Sequence, residues 1–514
     1  MLFRSLSSIF TGFLTILIAV VLVILLRVVY AYYSMGYYRK QGIRSYFDPV
    51  FGLIGVALRK QRPGVRRFDE YLVKELKDDY KRGAIVHTGV ASGRPAVALL
   101  TAEYFKEYIA QEDKFYRKNQ VPTADGILGF LDKHGPAALK ERHLFQEIFH
   151  YDKIKSLVPR ILDEIEDGLT RFVETNKLTK ESFFKVDISQ VFKDIMFKIG
   201  LVLIYSEKKL IEDSIEVRIA KNVGDIVEDG IKLTLNPLLT LFPGVFNAFP
   251  FLSSKLTKLL KHIETQKQLI AKYIEQRESS SHLEESAFDR IIIHNRNCRE
   301  DGKTEDIMDV HAIMGTLNLL MFAAFDTSQN MTILNLCLMA ERPDIREKVA
   351  KIAEEIYDSR GNTTADIVDA HEDLSMYFKE AMRLESSTAA MFRRVAHKDV
   401  TIKDIIVRKG DEVTVMFAPF VMDSKYFSNP STFQFDRFSK ENEKKYGYPK
   451  FQVPVFGIGK RACLGRSLAE LNVKLLLTSF CKRFEFTKPA DVNYYSTIRA
   501  IKISVYPFLE VKLK

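Results

Sequence analysis

From Ser5 to Leu26 the chain carries no charged side chain and is rich in Leu, Ile, Val and Phe. Few folds can use such a run. Backbone N–H and C=O groups in hydrocarbon must bond to one another, so a single segment that meets lipid has to be a helix. At a rise of about 1.5 Å per residue it can cross a bilayer core of about 30 Å. Arg27 can snorkel at the far interface, and Tyr30, Tyr32 and Tyr33 can serve as aromatic anchors. Val29 and Ala31 would suit a cleavage site, but the run is too long for the apolar part of a cleaved leader. We therefore expect a retained single-pass anchor over residues 1–34, spanning the membrane at about 5–30. Arg4 alone precedes the run, whereas Arg39, Lys40 and Arg44 follow it. The positive-inside rule then puts the rest of the chain in the cytosol.

Leu233 to Ser254 is also uncharged. Its length alone would permit a second span, but Pro237, Pro243, Gly244 and Pro250 oppose a regular helix. Two readings stay open: a buried loop, or a surface loop that dips into the membrane beside the anchor.

The remaining composition, within a chain 46% apolar and 28% charged, is that of a globular protein with a full core. The net charge of +10 admits an anionic membrane or an acidic partner. The basic residues are spread along the chain and no nucleic-acid-binding module is visible, so nucleic acid is not expected as a partner. Cys298, Cys337, Cys463 and Cys481 form no CxxC pair, which excludes a local zinc site and suits a reducing compartment. No two histidines stand at i,i+4, so no HExxH-type site exists.

The periodicity predicts a mainly helical body with a minor β part. Residues 35–66 read as a basic linker and 67–514 as one domain. Gly83–Val90 and Arg94–Thr101 resemble two short strands, with a helix from Ala102. Helical periodicity dominates about Ala137–Leu260. Arg277–Glu285 and Asn295–Thr304 read as loops, and Glu305–Glu341 as a long apolar helix. A helix over about Ser375–Leu384 follows, then short strands within Asp399–Val415. An irregular stretch runs to Val455, and a helix follows Cys463 before β-like segments close the chain.

"PVFGIGKRACLGRSLAELNV", Pro454–Val473, holds Cys463 among glycines just before that helix. A lone cysteine is usually a small buried hydrophobe. Here Gly457, Gly459 and Gly465 would let the backbone approach a flat group closely. The following helix N-terminus would favour a thiolate. Arg461 could pair with an anionic part of whatever the sulfur touches. A CxxxxxR phosphatase loop fails, because Ala469 stands at the arginine position. A P-loop, and with it a nucleotide-binding membrane protein, is disfavoured: five residues rather than four separate Gly459 from Gly465, and Arg466 stands where Lys is required. Axial ligation of haem iron is the third chemistry that uses such a thiolate.

"FGIGKRACLG" resembles the haem-binding signature of the cytochrome P-450 family through Phe456, Gly459, Arg461, Cys463 and Gly465. Further motifs stand in the family's order. "KEAMRLE" with Glu380 and Arg383, and "FDRF" with Arg437, resemble its buried Glu–Arg–Arg network, which supports the cysteine loop. "MFRRVAHKDV" is similar to the strand whose arginine reaches a haem propionate. Arg394 aligns best and Arg393 is the alternative. "AAFDTS" resembles the oxygen groove: Ala323 lies against the cofactor, Asp326 and Thr327 match the acid–alcohol pair, and Ala324 stands where Gly is usual. "HGPAALKERHLF" resembles the propionate-binding helix: Arg142 matches, Ala138 replaces a Trp, and His143 stands for a second basic residue.

The resemblance implies a P-450 fold behind one transmembrane helix, with haem b (iron protoporphyrin IX) as cofactor. Cys463 would be the axial iron ligand. Arg461, Phe456, Gly459, Gly465, Arg142, Arg394 and Ala323 would surround the haem. Thr327 would position dioxygen, and Asp326 would relay protons. The implied activity is a monooxygenase inserting one atom of O2 into a small apolar, membrane-partitioning substrate. Electrons would come from an NADPH-dependent flavoprotein reductase, with cytochrome b5 as a second donor. Membrane lipid would be a further partner, and the endoplasmic reticulum membrane the location. The rival within the fold is a haem-thiolate isomerase or dehydratase acting on a hydroperoxide, against which Asp326 and Thr327 argue. Lys133, Lys140, Lys444, Lys445, Lys450, Lys460 and Arg466 are expected to form a positive face for the reductase.

Overall fold

A computed structural model describes residues 2–48, 82–89, 94–116, 135–205, 214–234, 242–280, 286–391, 393–447, 453–498 and 502–514, with a few shorter pieces between them. Most of the expected linker, the start of the expected domain at 67, the middle of the second uncharged run and Lys450 lie outside the described residues.

The apolar N-terminal run lies in one helix, Leu2–Arg39. Among the described residues, it and the helix Val310–Glu341 are the two long and apolar enough to cross a membrane by length and composition. Their surroundings separate them. Much of the first is exposed between Ile18 and Tyr33, with Leu22, Leu25, Leu26 and Tyr33 each at least half accessible. The second is apolar on all sides and packs against helices Ser189–Tyr205, Ser254–Glu278 and Arg466–Arg483, which identifies a core helix. Its start is later than the sequence suggests. Asp309 accepts the Ala312 N–H at 2.7 Å and caps the first turn, and Thr304–Asp306 forms a separate 3₁₀ turn. Pro343, which opens the next helix, ends it.

The N-terminal helix does not run into a free tether. Ala31, Ser34, Met35 and Tyr38 are buried against the body. Tyr38 Oη donates to Asp411 Oδ2 at 2.7 Å, and Arg408 Nε donates to the same oxygen at 3.0 Å. The chain then enters β1 (Arg44–Asp48). That strand is the edge of a six-stranded sheet ordered β1-β2-β3-β9-β6-β4, with β2 Ala84–Gly89, β3 Ala96–Leu99, β4 Phe115–Tyr116, β6 Arg394–Ala396 and β9 Glu412–Val415. The segment read as linker therefore begins inside a helix and continues as a strand.

A second sheet pairs β5 (Phe184–Asp187), β13 (Phe508–Leu513) and β10 (Phe484–Thr487), and two antiparallel pairs stand apart, β7 (Val400–Ile402) with β8 (Ile405–Val407) and β11 (Tyr495–Ile498) with β12 (Lys502–Val505). β5 is too short to interrupt the surrounding helical periodicity, and only its long-range pairing with β13 reveals it. The expected loop at Asn295–Thr304 is mostly helix, because Ala287–Glu300 continues through it. Buried Cys298 extends that helix's apolar face. Buried Asn295 exchanges two 2.9 Å hydrogen bonds with the Met308 backbone, which fixes the chain's return.

Candidate active site

The cysteine loop is a set of tight turns. The Gly457 N–H donates to Pro454 O at 2.7 Å, and the Cys463 N–H donates to Phe456 O at 2.7 Å. Gly457 and Gly459 have φ of +69° and +85°, where a Cβ would be strained. Gly465 then caps the helix Arg466–Arg483, which is held in the core by Leu468, Leu471, Leu475 and Thr478. Cys463 is the accessible cysteine of the four; the others are buried. It lies deep enough that lost hydration pushes its thiol up from the ordinary value, while the Gly465 N–H, Arg142 and Arg466 pull it back.

The helix Arg466–Arg483 packs directly on the core helix Val310–Glu341. Between Met321 and Ser328, both buried, Ala323 is exposed. Residues 322 and 324–327 are half-buried, so this stretch of the core helix is open on one side. Thr327 follows one turn later and donates its hydroxyl proton to Ala323 O at 2.7 Å, leaving its lone pairs free to accept. Burial pushes the Asp326 carboxyl above the ordinary carboxylate range, and the charge of Lys193 pulls it partly back. The sequence demanded a partner for this acid within an apolar run. Lys193, from the neighbouring helix Ser189–Tyr205, supplies an opposite charge and had no signal of its own.

Three arginines converge beside the cysteine loop. Arg142 Nη2 donates to Ala462 O at 2.6 Å. Arg461 is half-buried, and the charges of Arg394 and Arg142 both oppose its own. Arg394 and Arg461 also act on the buried Tyr108. Arg393, the alternative left open by the sequence, is instead 3.4 Å from Glu412 Oε2. His143 does not join the cluster: it is exposed and hydrogen-bonds Gln146. Ala138 is fully buried. A cation cluster of this kind, half-buried beside an accessible thiol in a glycine-rich turn, fits a flat iron macrocycle with two carboxylates such as haem.

Behind the loop lies a second charged group. Glu380, Arg383 and Arg437 are all buried. Glu380 accepts two 2.8 Å bonds from Arg383, bonds of 3.0 and 3.1 Å from Arg437 Nε, and the Gln434 N–H at 3.0 Å. The arginines spend their other donors on carbonyls: Arg383 on Val421 and Pro430, Arg437 on Ser428 and Thr432. Both guanidiniums lie over the Phe427 ring. The network ties the helix Glu372–Glu385 to the irregular segment leading to the cysteine loop.

The expected positive face is not bare. Lys133 pairs with Glu141, Lys140 with Asp306, Lys460 with Asp113, and Arg466 with Glu470. Glu470 stands one turn along the same helix as Arg466, but Glu141, Asp306 and Asp113 come from other elements, which a list of basic residues could not reveal.

Residues 65–499 match the family model Cytochrome P450. The chain belongs to the cytochrome P450 family. It is an oxidoreductase of the P450 monooxygenase type, and the family implies haem. Cytochrome P450 3A2 of Rattus norvegicus is 25% identical over 482 residues, covering 92% of this chain and 90% of that protein. Cytochrome P450 3A7 of Homo sapiens is 27% identical over 411 residues, covering 76% and 77%. A crystal structure of the cytochrome P450DA heme domain superposes with a TM-score of 0.72 at 15% identity, covering 92% of this chain and 98% of that one. At that identity the likeness speaks for the P450 fold, mainly helical with minor sheet.

Proposed function

We propose that this P450 is a membrane-anchored haem-thiolate monooxygenase with Cys463 as the axial ligand. The observation that carries the reading is accessible Cys463 in the turn before the helix Arg466–Arg483, which packs on the helix of exposed Ala323, with Arg142, Arg394 and Arg461 around that turn. Haem b, when bound, would supply the oxygen chemistry. The chain's own residues do the rest. The arginines hold the carboxylates of the macrocycle, and Phe456, Gly459 and Gly465 shape the loop around the sulfur. Thr327 orients a polar group by accepting hydrogen bonds above Ala323. Asp326, with its raised affinity for a proton, holds and passes one towards that hydroxyl. Glu380, Arg383 and Arg437 fix the approach to the cysteine loop.

The substrate class is small and apolar, and electrons come from an NADPH-dependent flavoprotein reductase, with cytochrome b5 as a second donor. The location is the endoplasmic reticulum membrane with the body cytosolic. Lipid contact extends beyond the anchor to Pro243–Leu252, where Val245, Phe249, Phe251 and Leu252 are exposed on two short helical turns. Of the two sequence readings of this stretch, exposure favours the membrane-dipping one.

The test is spectroscopic. The reduced, CO-bound protein should show the strongly red-shifted Soret band of thiolate ligation, and Cys463→Ala should lose it. Retention of the band in that variant sinks the assignment. A flavoprotein reductase with NADPH should then drive oxygen insertion into apolar compounds.

A further inference from the structure

We infer that Glu112 is a positioning residue of the cysteine loop: its carboxylate clamps the Gly459–Lys460 turn and completes the charge balance of the Arg142, Arg394 and Arg461 cluster. Glu112 opens the short turn after the helix Ala102–Ile109 and just before β4. Its Oε1 accepts the backbone N–H of Lys460 at 2.7 Å. A Cβ at position 459 would lie 2.8 Å from that oxygen and 3.1 Å from Oε2. The missing side chain of Gly459 therefore makes room for this carboxylate. β4 pairs with β6, the strand of Arg394, so one short segment braces both the loop and an arginine of the cluster. Glu112 also acts electrostatically on Arg142, Arg461 and Tyr108.

Charge counting gives the clamp a second role. Three guanidiniums carry three positive charges, and a haem brings two propionates. One positive charge is left, and Glu112 offsets it. Asp113 is an adjacent control. It is exposed and is paired with the Lys460 ammonium at 2.6 Å.

The inference rests on the haem-thiolate reading. The wild-type CO spectrum tests that reading first: without the red-shifted band the reading falls, and the inference with it. Given the band, haem-loaded full-length Glu112→Gln, Glu112→Ala and Asp113→Asn are compared by reduction potential and by haem transfer to excess apomyoglobin. Gln keeps an acceptor for the Lys460 N–H but removes the charge. It should favour the ferrous form by about threefold to tenfold, the latter being 59 mV for one electron. Asp113→Asn should shift the equilibrium less than half as far on a logarithmic scale. Glu112→Ala loses the acceptor as well and should release haem about tenfold faster than Glu112→Gln, since the Gly459–Lys460 turn then loses the charge-assisted bond that fixes it. A Gln variant with wild-type potential, or an Asp113→Asn shift of equal size, overturns the charge role. Equal haem release from Ala and Gln overturns the clamp.

Discussion

Glu380→Ala is the most informative stability perturbation, because the structure defines what it strands. Two buried guanidiniums share this one carboxylate, and it also accepts the Gln434 N–H. Removing it leaves Arg383 and Arg437 buried beside each other without the carboxylate they share. Breaking a buried pair in this way costs about 3–5 kcal/mol. That corresponds to a change of about 10²–10⁴ in the folding equilibrium. A protein with about 5–15 kcal/mol of total stability would lose much of it. Retained carbonyl bonds to both arginines argue for the lower half of the cost. The assay is haem-loaded yield, together with thermal loss of helical signal and of the Soret band, followed separately because a chain this long need not unfold in one step. Loss should appear first at the cysteine loop, which the network supports through 421–437. A cycle with Arg437→Met decides the origin of the effect. The double variant should be less damaged than the sum of the single ones, because one stranded charge has gone. Glu380→Ala with normal haem loading and thermal stability would refute the reasoning, as would strict additivity in the cycle.

Thr327→Ala should consume reductant while releasing peroxide in place of product, measured as the ratio of NADPH oxidised to product formed; unchanged coupling would favour the hydroperoxide isomerase. Asp326→Asn should slow turnover and alter the pH dependence of stability. The folded-state carboxyl titrates above its ordinary range, so in that window the folded state holds more protons than the unfolded one, and stability falls as pH rises through it. The Asn variant should lack that fall and be the more stable protein at neutral pH in paired melts; the opposite order would show that Asp326 gains more from Lys193 than burial costs it. Phe251→Cys, labelled with an environment-sensitive fluorophore in the full chain, should be shielded from an aqueous quencher in vesicles, and free access would return Pro243–Leu252 to solvent.

The elements that were legible are those in which one local pattern suffices. An uncharged run long enough for a bilayer, the apolar core helix and the helix after Cys463 all announce themselves through periodicity. What escaped depends on distant partners. β5 is visible only through β13, and β1 only through β2. Asn295 looks like a helix-ending polar residue until its bonds to Met308 are seen. The same limit explains the basic face: residue types give the lysines, but Glu141, Asp306 and Asp113 reach them only through the fold.

The site divides along the same line. The spacing of Phe456, Gly459, Arg461, Cys463 and Gly465 is local, and so is the i,i+3 spacing of Glu380 and Arg383. The choice between Arg393 and Arg394 was not local. Alternate residues of a strand face opposite ways, so one of the two must turn from the cluster, and Glu412 on the neighbouring strand takes Arg393. Gly459 shows the limit most sharply. Its glycine was legible as a demand for close approach, and the obvious candidate was a flat cofactor. The group that in fact fills the space of a Cβ is the carboxylate of Glu112, 347 positions away by its numbering. A sequence can thus declare that something must come near a backbone atom while leaving unstated what comes near.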